Sequence, residues 1–434
     1  MKKVFDVTEF DTISAKAGIG CKTLDKETFE DLCEFVKTYQ TDEKESSDAL
    51  EFFKLGFRRD IGDTISVRNY VGLIQTKTGK QIEILPKILF DQEDSGSYKQ
   101  TKLVFLKMIR AMKDFPSKLF DNADLKAERM NLYEIFINMY LGEVRNLVKH
   151  GLKSGYETVE DNLHYYKGKL NVTQQIKRNA THKERFCVKF DEFTANRPEN
   201  RLIKATLEKL LILTQSQWNA REARQLLDSF ENVEKSNVDA DLASVVTNRN
   251  MLEYETLIKW SRIFLKNKAF TTFSGTSKAR ALLFPMDKVF ESYVAREIRN
   301  LLSPQGWNVS TQDSRYFLFD TPRQFSLRPD IVIDCGGDKR IIMDTKWKSL
   351  INSPRANYGI SQADMYQMYA YSKKYKTSEI WLLYPMNEEM KDQPIISFKA
   401  EEDIPVNVHV FFVDLAKMND SMAQLKAQIE GRIP

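Results

Sequence analysis

The segment LRPDIVIDCGGDKRIIMDTKWK, Leu327 to Lys348, limits the possible fold more than any other part of the chain. It contains two short apolar runs joined by a turn at Gly336-Gly337-Asp338, a pattern that predicts a β-hairpin. An aspartate stands at one end of each run: Asp330 follows a proline at the start of the first, and Asp344 closes the second. Two carboxylates at neighbouring strand ends indicate a functional site rather than a solvated surface.

The polar residues around Asp344 are expected to divide between the two faces of the strand, because side chains alternate along it. Asp344 and Lys346 share one face, whereas Thr345 is expected to point away and to offer only its main-chain carbonyl oxygen. Asp330 lies 14 positions before Asp344, which suits one short turn, so the two acids can meet with the ammonium beside them. A hard divalent cation such as Mg²⁺ binds one or two carboxylates together with waters and substrate phosphates. The pattern therefore predicts a phosphodiesterase site in which Lys346 positions the attacking water or stabilises charge on the phosphate.

The length and composition predict a multidomain protein. A chain of 434 residues with 42% hydrophobic residues is too long for one ordinary core. The 65 Lys and Arg residues against 61 Asp and Glu leave a net charge of +4, which by itself argues neither for nor against a polyanionic partner. We predict an α/β and α+β multidomain fold with a β-rich N-terminal domain over residues 1–100, a helical middle domain over 101–270 and a C-terminal domain over 271–434.

Local patterns support this division in the first two parts. A short helix is expected around Lys26 to Thr38, and the alternating segment TISVRNYVGLIQTKTGKQIEILPKI predicts a hairpin that turns at Thr78-Gly79-Lys80. The polar stretch from Asp91 to Thr101 is interpreted as a linker. From Lys102 to about Trp260 apolar residues recur at helical spacing, interrupted over 165–193 by a basic, alternating segment that predicts an inserted hairpin or extended arm.

The C-terminal part is expected to combine strands with flanking helices. A helix is predicted in FPMDKVFESYVAREIRNLL, followed by strands in RYFLFD, FSLRPDIVID and KRIIMDTKW. The segment SQADMYQMYAYSKKY predicts a second helix, in which Ser361 and Asp364 resemble a capping box. Two interior strands, EIWLLYP and VNVHVFFVDL, and a final helix complete the predicted mixed sheet.

Other kinds of site are not indicated by the sequence. The four cysteines lack metal-ligand spacing, so neither a zinc site nor a disulfide framework is expected, and the four dispersed histidines receive no role. The phosphate-binding loop G-x-x-x-x-G-K-[ST] does not occur, so any nucleotide energy is expected to come from a partner. Neither a signal peptide nor a membrane-spanning run is visible, and a cytoplasmic protein is expected.

The residues at the two strand ends resemble the motif of the PD-(D/E)xK nuclease superfamily. Pro329-Asp330 corresponds to the PD of that motif, and Asp344-Thr345-Lys346 corresponds to its DxK. Glu291 matches an acidic position on the first helix of this fold, and Gln367 with Tyr371 matches the Q-x-x-x-Y motif of the RecB-like branch. The resemblance implies that the C-terminal domain has the PD-(D/E)xK nuclease fold. The catalytic candidates are Asp330, Asp344, Lys346, Glu291, Gln367 and Tyr371, and the metal candidates are Asp330, Asp344, Thr345 and Glu291.

The order of segments from about Ile65 to the C-terminus resembles the McrC family, the nuclease subunits of McrBC-type modification-dependent restriction systems. The resemblance is carried by VGLIQTKTGKQIEILPKI, KGKLNVTQQI, FDEFTANRPENRLIKATL, RPDIVI, IIMDTKWK and DMYQMYAY. It implies a DNA endonuclease, dependent on Mg²⁺ or Mn²⁺, that cuts double-stranded DNA containing methylcytosine. It also implies a partner, a hexameric McrB-like AAA+ GTPase, which binds the GTP and which this chain binds and stimulates.

The basic segment over 165–193 has three interpretations. It could follow a DNA backbone, meet the motor subunit or be a solvated hairpin, and the family resemblance favours the motor. The contact candidates are Lys167, Lys169, Lys177, Arg178 and, in the C-terminal part, Lys348. Two alternatives to a motor-driven endonuclease also remain open: a non-catalytic scaffold that stimulates the motor, and a stand-alone RecB-like exonuclease that digests linear DNA without a partner.

Overall fold

The computed structural model describes residues 4–41, 53–76, 80–88, 97–112, 131–245, 252–266, 280–336, 339–391, 393–401 and 405–432. These residues divide into two compact units. The first unit contains the described residues up to 112 and from 280 onwards, and the second contains those between 131 and 266. The second unit is therefore inserted into the sequence of the first. No helix in the described part of the chain is long and apolar enough to cross a membrane.

The first part of the first unit is rich in strands. Its elements are β1 (Val4–Thr8), β2 (Thr12–Ser14), β3 (Cys21–Thr23), α1 (Lys26–Thr41), β4 (Phe53–Arg58), β5 (Gly62–Val67), β6 (Tyr70–Gln75), β7 (Gln81–Leu85) and α2 (Ser97–Ile109). The order β3-β2-β5-β4 makes one sheet of the described strands. The predicted hairpin is confirmed by the antiparallel pairing of β6 with β7, and its turn at 77–79 lies outside the described residues.

The second unit consists of helices and a small antiparallel sheet. Its elements are α3 (Leu132–His150), β8 (Gly155–Leu163), β9 (Lys169–Leu170), α4 (Val172–Arg178), β10 (Phe186–Thr194), α5 (Pro198–Leu213), α6 (Gln217–Asp228), α7 (Val238–Ser244) and α8 (Leu252–Lys266). The order β8-β10-β9 makes the sheet, so the hairpin partner of β10 begins earlier than the predicted arm, at Gly155. Helix α4 was not predicted because none of its side chains is buried, which leaves no apolar stripe in the sequence.

The last part of the chain returns to the first unit. Its elements are β11 (Arg280–Pro285), α9 (Met286–Leu302), β12 (Asn308–Thr311), β13 (Phe317–Asp320), β14 (Arg323–Ser326), β15 (Ile331–Asp334), β16 (Arg340–Thr345), α10 (Gln362–Tyr375), β17 (Glu379–Pro385), β18 (Ile396–Ala400), β19 (Val406–Val413) and α11 (Met418–Glu430). A second sheet of the described strands has the order β1-β7-β6-β11, in which β11 pairs antiparallel with β6. The fold is thus a mixed α/β architecture with several sheets.

The largest sheet of the described chain has the order β12-β15-β16-β17-β19-β18. Its central strands β16, β17 and β19 are parallel and buried on both faces, which explains their nearly continuous apolar sequences. Helix α10 packs on this sheet through Met368, Tyr371 and Tyr375. Its N-terminus is capped as predicted, because Ser361 Oγ accepts a hydrogen bond from the amide of Asp364 at 3.1 Å.

Some predicted elements differ from the observed ones. The run FSLRPDIVID is not one strand but two, β14 and β15, because Pro329 has no amide hydrogen and restricts the residue before it. Strand β18 was missed, since it is a sheet edge that exposes part of one face. Residues 97–101 of the predicted linker are helical. Helix α2 therefore crosses the predicted boundary between the first and second domains at 100/101. Strand β11, from the predicted C-terminal domain, joins a sheet of the N-terminal strands. The three-domain division itself stays a prediction.

Candidate active site

Asp330 and Asp344 stand opposite each other at the end of a strand pair. Strand β15 runs antiparallel to β16, with Ile331 facing Met343, and the two aspartates each lie one position beyond that pair. Asp344 is 2% exposed. Burial raises the pKa of both carboxyls above their ordinary values, and the neighbouring charge of Asp330 raises that of Asp344 further. The hairpin therefore concentrates negative charge at a desolvated point.

Asp330 is held by its neighbours through both carboxylate oxygens. Its Oδ2 accepts hydrogen bonds from the amide and the hydroxyl of Thr345, at 2.8 and 2.7 Å. Its Oδ1 accepts one from Gln312 Nε2 at 3.2 Å. The expectation that the Thr345 side chain points away is wrong, because its hydroxyl reaches the carboxylate at the strand end. The role of the Thr345 carbonyl as a metal ligand stays a prediction.

Lys346 lies beside the second acid. Its Nζ is 2.6 Å from Asp344 Oδ2 and donates a hydrogen bond to Gln367 Oε1 at 3.2 Å. Asp344 Oδ2 is buried and faces the Lys346 ammonium, with which it forms a close ion pair. Burial disfavours the charged form of Lys346, but the Asp344 carboxylate outweighs this and raises the pKa of the ammonium above its ordinary value. Lys346 is therefore a fixed positive charge.

Glu291 enters the site from helix α9, as the resemblance implied. Its Oε1 accepts a hydrogen bond from Gln312 Nε2 at 2.6 Å, and the same amide nitrogen reaches Asp330. Burial, followed by the charge of Asp330, raises the pKa of Glu291 to about 7. Gln312 was missed by sequence reasoning, since one glutamine in a polar loop carries no spacing signal. Its amide holds two mutually repelling acids in place.

Gln367 and Tyr371 differ in their relation to the site. Gln367 contacts Lys346 directly, and its Nε2 donates to the Tyr371 hydroxyl at 2.7 Å. Tyr371 is 1% exposed and packs in the core of the main sheet. It therefore acts on Lys346 only through Gln367, and its ring has the packing role that suits a helix–sheet interface.

Lys348 forms its ion pair with Asp364, and not with Asp330 or Asp344. Its Nζ donates to Asp364 Oδ2 at 3.2 Å, and the side chain remains half exposed. The other four contact candidates, Lys167, Lys169, Lys177 and Arg178, belong to the second unit. Lys167 Nζ lies 3.6 Å from Glu192 and over the Phe190 ring. The role of all five residues as contacts stays a prediction.

The candidate site opens into a cleft of about 830 Å³ within the first unit. Its wall includes Glu291, Asp330, Asp344, Lys346 and Gln367. Further lining residues that the sequence did not indicate are Phe10, Lys87, Arg328 and Trp347. The site thus combines acids, one half-buried ammonium and exposed cations in a space large enough for a polymeric anion.

The donors at this site fit a divalent cation that shares its shell with substrate. No group of three or more His, Cys, Asp and Glu side chains in the described residues is arranged to hold a metal ion by itself. Mg²⁺, however, commonly takes one or two carboxylates and fills its shell with waters and substrate phosphates. Asp330 and Asp344 would supply that pair, and a bound cation would offset the repulsion between the two carboxylates.

Comparison with known proteins places this geometry in context. The family model described as McrBC 5-methylcytosine restriction system component matches residues 65–385. No curated protein matches the chain. Two solved structures from Thermococcus gammatolerans share the fold. One is a refined half-complex from the tetradecameric assembly of McrB AAA+ hexamers with bound McrC. Its sequence identity to this chain is 19%, the match covers 98% of this chain and 100% of that chain, and the TM-score is 0.67. The other is a cryo-EM structure of the McrBC complex, with 20% identity, coverage of 69% and 88%, and a TM-score of 0.51.

Proposed function

Since the chain belongs to the family of McrBC 5-methylcytosine restriction system components, we propose that it is the nuclease subunit of such a system. In this proposal it hydrolyses phosphodiester bonds of double-stranded DNA that contains methylcytosine, through a C-terminal PD-(D/E)xK nuclease fold. The observation that carries the proposal is the pair of Asp330 with the buried Asp344, with the Lys346 ammonium 2.6 Å from Asp344, on the wall of an open cleft.

Each residue of the site has a role in the proposed reaction. Asp330, Asp344, the Thr345 carbonyl and Glu291 would hold Mg²⁺, or Mn²⁺ in its place. The bound cation supplies a Lewis acid that neutralises charge on the scissile phosphate and lowers the pKa of water. Asp330 is kept in position by the amide and hydroxyl of Thr345 and by Gln312.

Lys346 is the protein's own cation in the proposed reaction. Its ammonium orients the attacking water and stabilises the extra negative charge as the water oxygen bonds to phosphorus and the bond to the leaving oxygen breaks. Gln367 holds this ammonium through its carbonyl oxygen, and Tyr371 holds Gln367. Tyr371 is accordingly a positioning residue.

The proposed partner is a McrB-like AAA+ GTPase hexamer. Of the two similar solved structures described above, one is from an assembly of McrB AAA+ hexamers with bound McrC and the other is of a McrBC complex. The sequence lacks a phosphate-binding loop of its own, so the GTP belongs to the partner in this proposal. The arm formed by β8, β9 and β10 presents Lys167, Lys169, Lys177 and Arg178 as contacts for that partner, with DNA as the alternative.

The proposal is tested with the full chain and its cognate motor. Methylated plasmid, Mg²⁺ and GTP are supplied, and cutting is compared for the wild type, Asp344→Ala, Lys346→Ala and the matched control Lys348→Ala. We expect the first two variants to cut at least about a hundredfold more slowly, because each removes a group that acts on the transition state. The control should stay within about tenfold of the wild type, because its loss removes an ion pair with Asp364 and one of several cations that attract the phosphate backbone, but no group beside Asp330 or Asp344.

A second readout separates nuclease from scaffold. GTP hydrolysis by the motor is measured with each variant, and we expect Asp344→Ala to stimulate it as the wild type does. Unimpaired cutting by both Asp344→Ala and Lys346→Ala would refute the proposed nuclease and leave the non-catalytic scaffold. Digestion of linear DNA by the chain without motor or GTP would instead identify a stand-alone exonuclease.

A further inference from the structure

The turn at Glu9 and Phe10 brings the extreme N-terminal strands to the candidate active site. Phe10 lines the same cleft as the acids, although 320 positions separate it from Asp330. Its ring is 48% exposed, and its backbone has a φ of 71°, a left-handed conformation that a bulky residue rarely adopts. Main-chain hydrogen bonds fix this turn on both sides, from Glu9 to Leu85 and from Phe10 to Val67. The chain therefore maintains an unfavourable backbone conformation that presents an aromatic ring to the cleft.

Glu9 anchors the turn to the strand extension that carries Lys346. Both of its carboxylate oxygens accept a hydrogen bond from Trp347 Nε1, at 2.8 and 3.0 Å. Glu9 is 1% exposed and Trp347 is 6% exposed. The Trp347 ring in turn packs on Phe290 of helix α9, with centroids 5.3 Å apart. Because Trp347 directly follows Lys346, the position of Phe10 is coupled to that of the ammonium.

A second cavity of about 410 Å³ adjoins the cleft on the side of Phe10. The two spaces share Phe10, Lys87, Trp347, Lys348 and Ser349 as lining residues. The rest of the cavity wall combines apolar residues with four polar or acidic ones, Ser97, Asn387, Glu388 and Glu389. A recess of mixed character with an aromatic rim thus opens beside the candidate phosphate site.

The cations of the cleft suit the phosphates of a nucleic acid strand, whereas the recess itself carries the exposed acids Glu388 and Glu389 and suits an uncharged base. Lys87, Arg328 and Lys348 are exposed on the wall of the cleft, on three separate segments of the chain. Cations of this kind attract a phosphate backbone but do not read bases. The Phe10 ring on the same cleft wall adds a contact to the base, since every nucleobase has a flat face that stacks on a phenyl ring.

We infer that Phe10 is a substrate-contacting residue, whose ring stacks on the nucleobase next to the scissile phosphate, and that this base leaves the duplex and enters the recess. The inference rests on the proposed nuclease function and extends it to a residue outside the nuclease motif. Glu9 is the positioning residue that holds Phe10 there. Removing a base from the stack costs free energy, and stacking on Phe10 offsets part of that cost.

The test compares cleavage by the full chain with its motor for several variants. Phe10→Ala removes the aromatic ring, and Phe10→Tyr keeps it. Phe10→Asn also removes the ring, but asparagine tolerates the left-handed backbone conformation of this position, so any loss is not caused by backbone strain. Phe57→Ala is the matched control, because Phe57 is also an exposed phenylalanine of the N-terminal strands, at 72%, and lines neither space. Thermal unfolding of each variant is measured alongside.

The substrates supply the second half of a double-mutant cycle. The cut is first mapped on a methylated duplex, and duplexes are then made with an abasic nucleotide on either side of the scissile phosphate. On intact DNA we expect kcat/KM to fall about tenfold for Phe10→Ala and Phe10→Asn, within the range measured for base–aromatic stacking. Phe10→Tyr and Phe57→Ala should cut as the wild type does. On one of the two abasic duplexes, the difference between wild type and Phe10→Ala should disappear.

The contrary outcomes are distinct. If Phe10→Ala and Phe10→Asn cut intact DNA as the wild type does while Asp344→Ala is inactive, the inference is wrong and the proposed function stands. A loss for Phe10→Ala that is equal on intact and abasic DNA, or equal to that of Phe57→Ala, also overturns it, because no base is then being contacted. Absence of any cleavage by the wild type overturns the proposed function and this inference together.

Discussion

Replacing Glu9 by glutamine should change how the stability of the protein depends on pH. Glu9 is buried, and this burial is the main cause that raises its pKa from 4.5 to about 7. Hydrogen bonds from Trp347 and from the Lys87 backbone lower the pKa in part, and the charge of Asp287 raises it slightly. A folded-state pKa above the unfolded value means that the folded protein binds the proton more tightly. Wild-type stability from this group is therefore fully present below pH 4.5 and is lost as pH rises towards and through about 7.

The magnitude follows from the two pKa values. A tenfold change in acidity corresponds to about 1.36 kcal/mol, so the total loss is about 3 kcal/mol, of which about 2.5 kcal/mol falls between pH 5 and 8. Glu9→Gln keeps an oxygen that can accept from the Trp347 indole but cannot ionise. Any fixed cost of the amide is the same at every pH, so the difference in unfolding free energy between variant and wild type isolates the ionisation of Glu9.

The assay is urea unfolding of the full chain at several pH values from 5 to 8, followed by tryptophan fluorescence. Glu9→Gln should gain about 2.5 kcal/mol relative to the wild type across that range. The matched control is Glu27→Gln, which removes an exposed carboxylate of helix α1 in the same unit. A difference between Glu9→Gln and wild type that stays constant with pH would show that the buried carboxyl does not titrate in this range, and the reasoning would fail.

Three further predictions concern the fold and the site. Gly72→Ala should lower the free energy of unfolding by about 3 kcal/mol or more, because the new Cβ would lie 2.0 Å from a main-chain oxygen of β11 and the residue has a φ of +137°. The control Gly62→Ala has no atom within 4 Å of the new Cβ, so it should lose only about 1 kcal/mol. Urea unfolding measures both changes. Gln312→Ala should slow cleavage roughly ten- to hundredfold, because it frees two acids, and a Mg²⁺ titration of the rate that matches the wild type would contradict this. Asp330→Ala should abolish Mg²⁺ binding in calorimetry of the full chain, and retained heat of binding would disprove its role as a ligand.

The centre of the candidate site could be predicted because its geometry is local. Asp330 and Asp344 are separated by one hairpin, and strand alternation places Lys346 beside the second acid. Glu291 and Gln367 lie on separate helices, and periodicity alone says nothing about which helical position faces a strand end. Their candidacy came from the family resemblance, and the structure brings both side chains to the site.

Long-range partners could not be predicted from the sequence. The hydrogen bond between Glu9 and Trp347 joins residues 338 positions apart, and nothing near Glu9 distinguishes it from a solvated turn residue. The same holds for Gln312, whose role depends on the simultaneous approach of two acids from different elements. Thr345 was misjudged because its hydrogen bonds go to Asp330 on the neighbouring segment, whose reach is not given by alternation along β16 alone. These interactions depend on tertiary packing, which overrides local pattern.

The pairing of β11 with β6 has a consequence for how the protein is made. Strand β6 ends at Gln75, but its neighbour begins only at Arg280, about two hundred residues later. At a synthesis rate of about 5–20 residues per second, the nascent chain carries an unpaired strand edge for roughly ten to forty seconds. Such an edge is a template for pairing with other chains. Fragments that end before residue 280 should therefore aggregate, and the N-terminal strands are expected to need chaperone protection on the ribosome until β11 emerges.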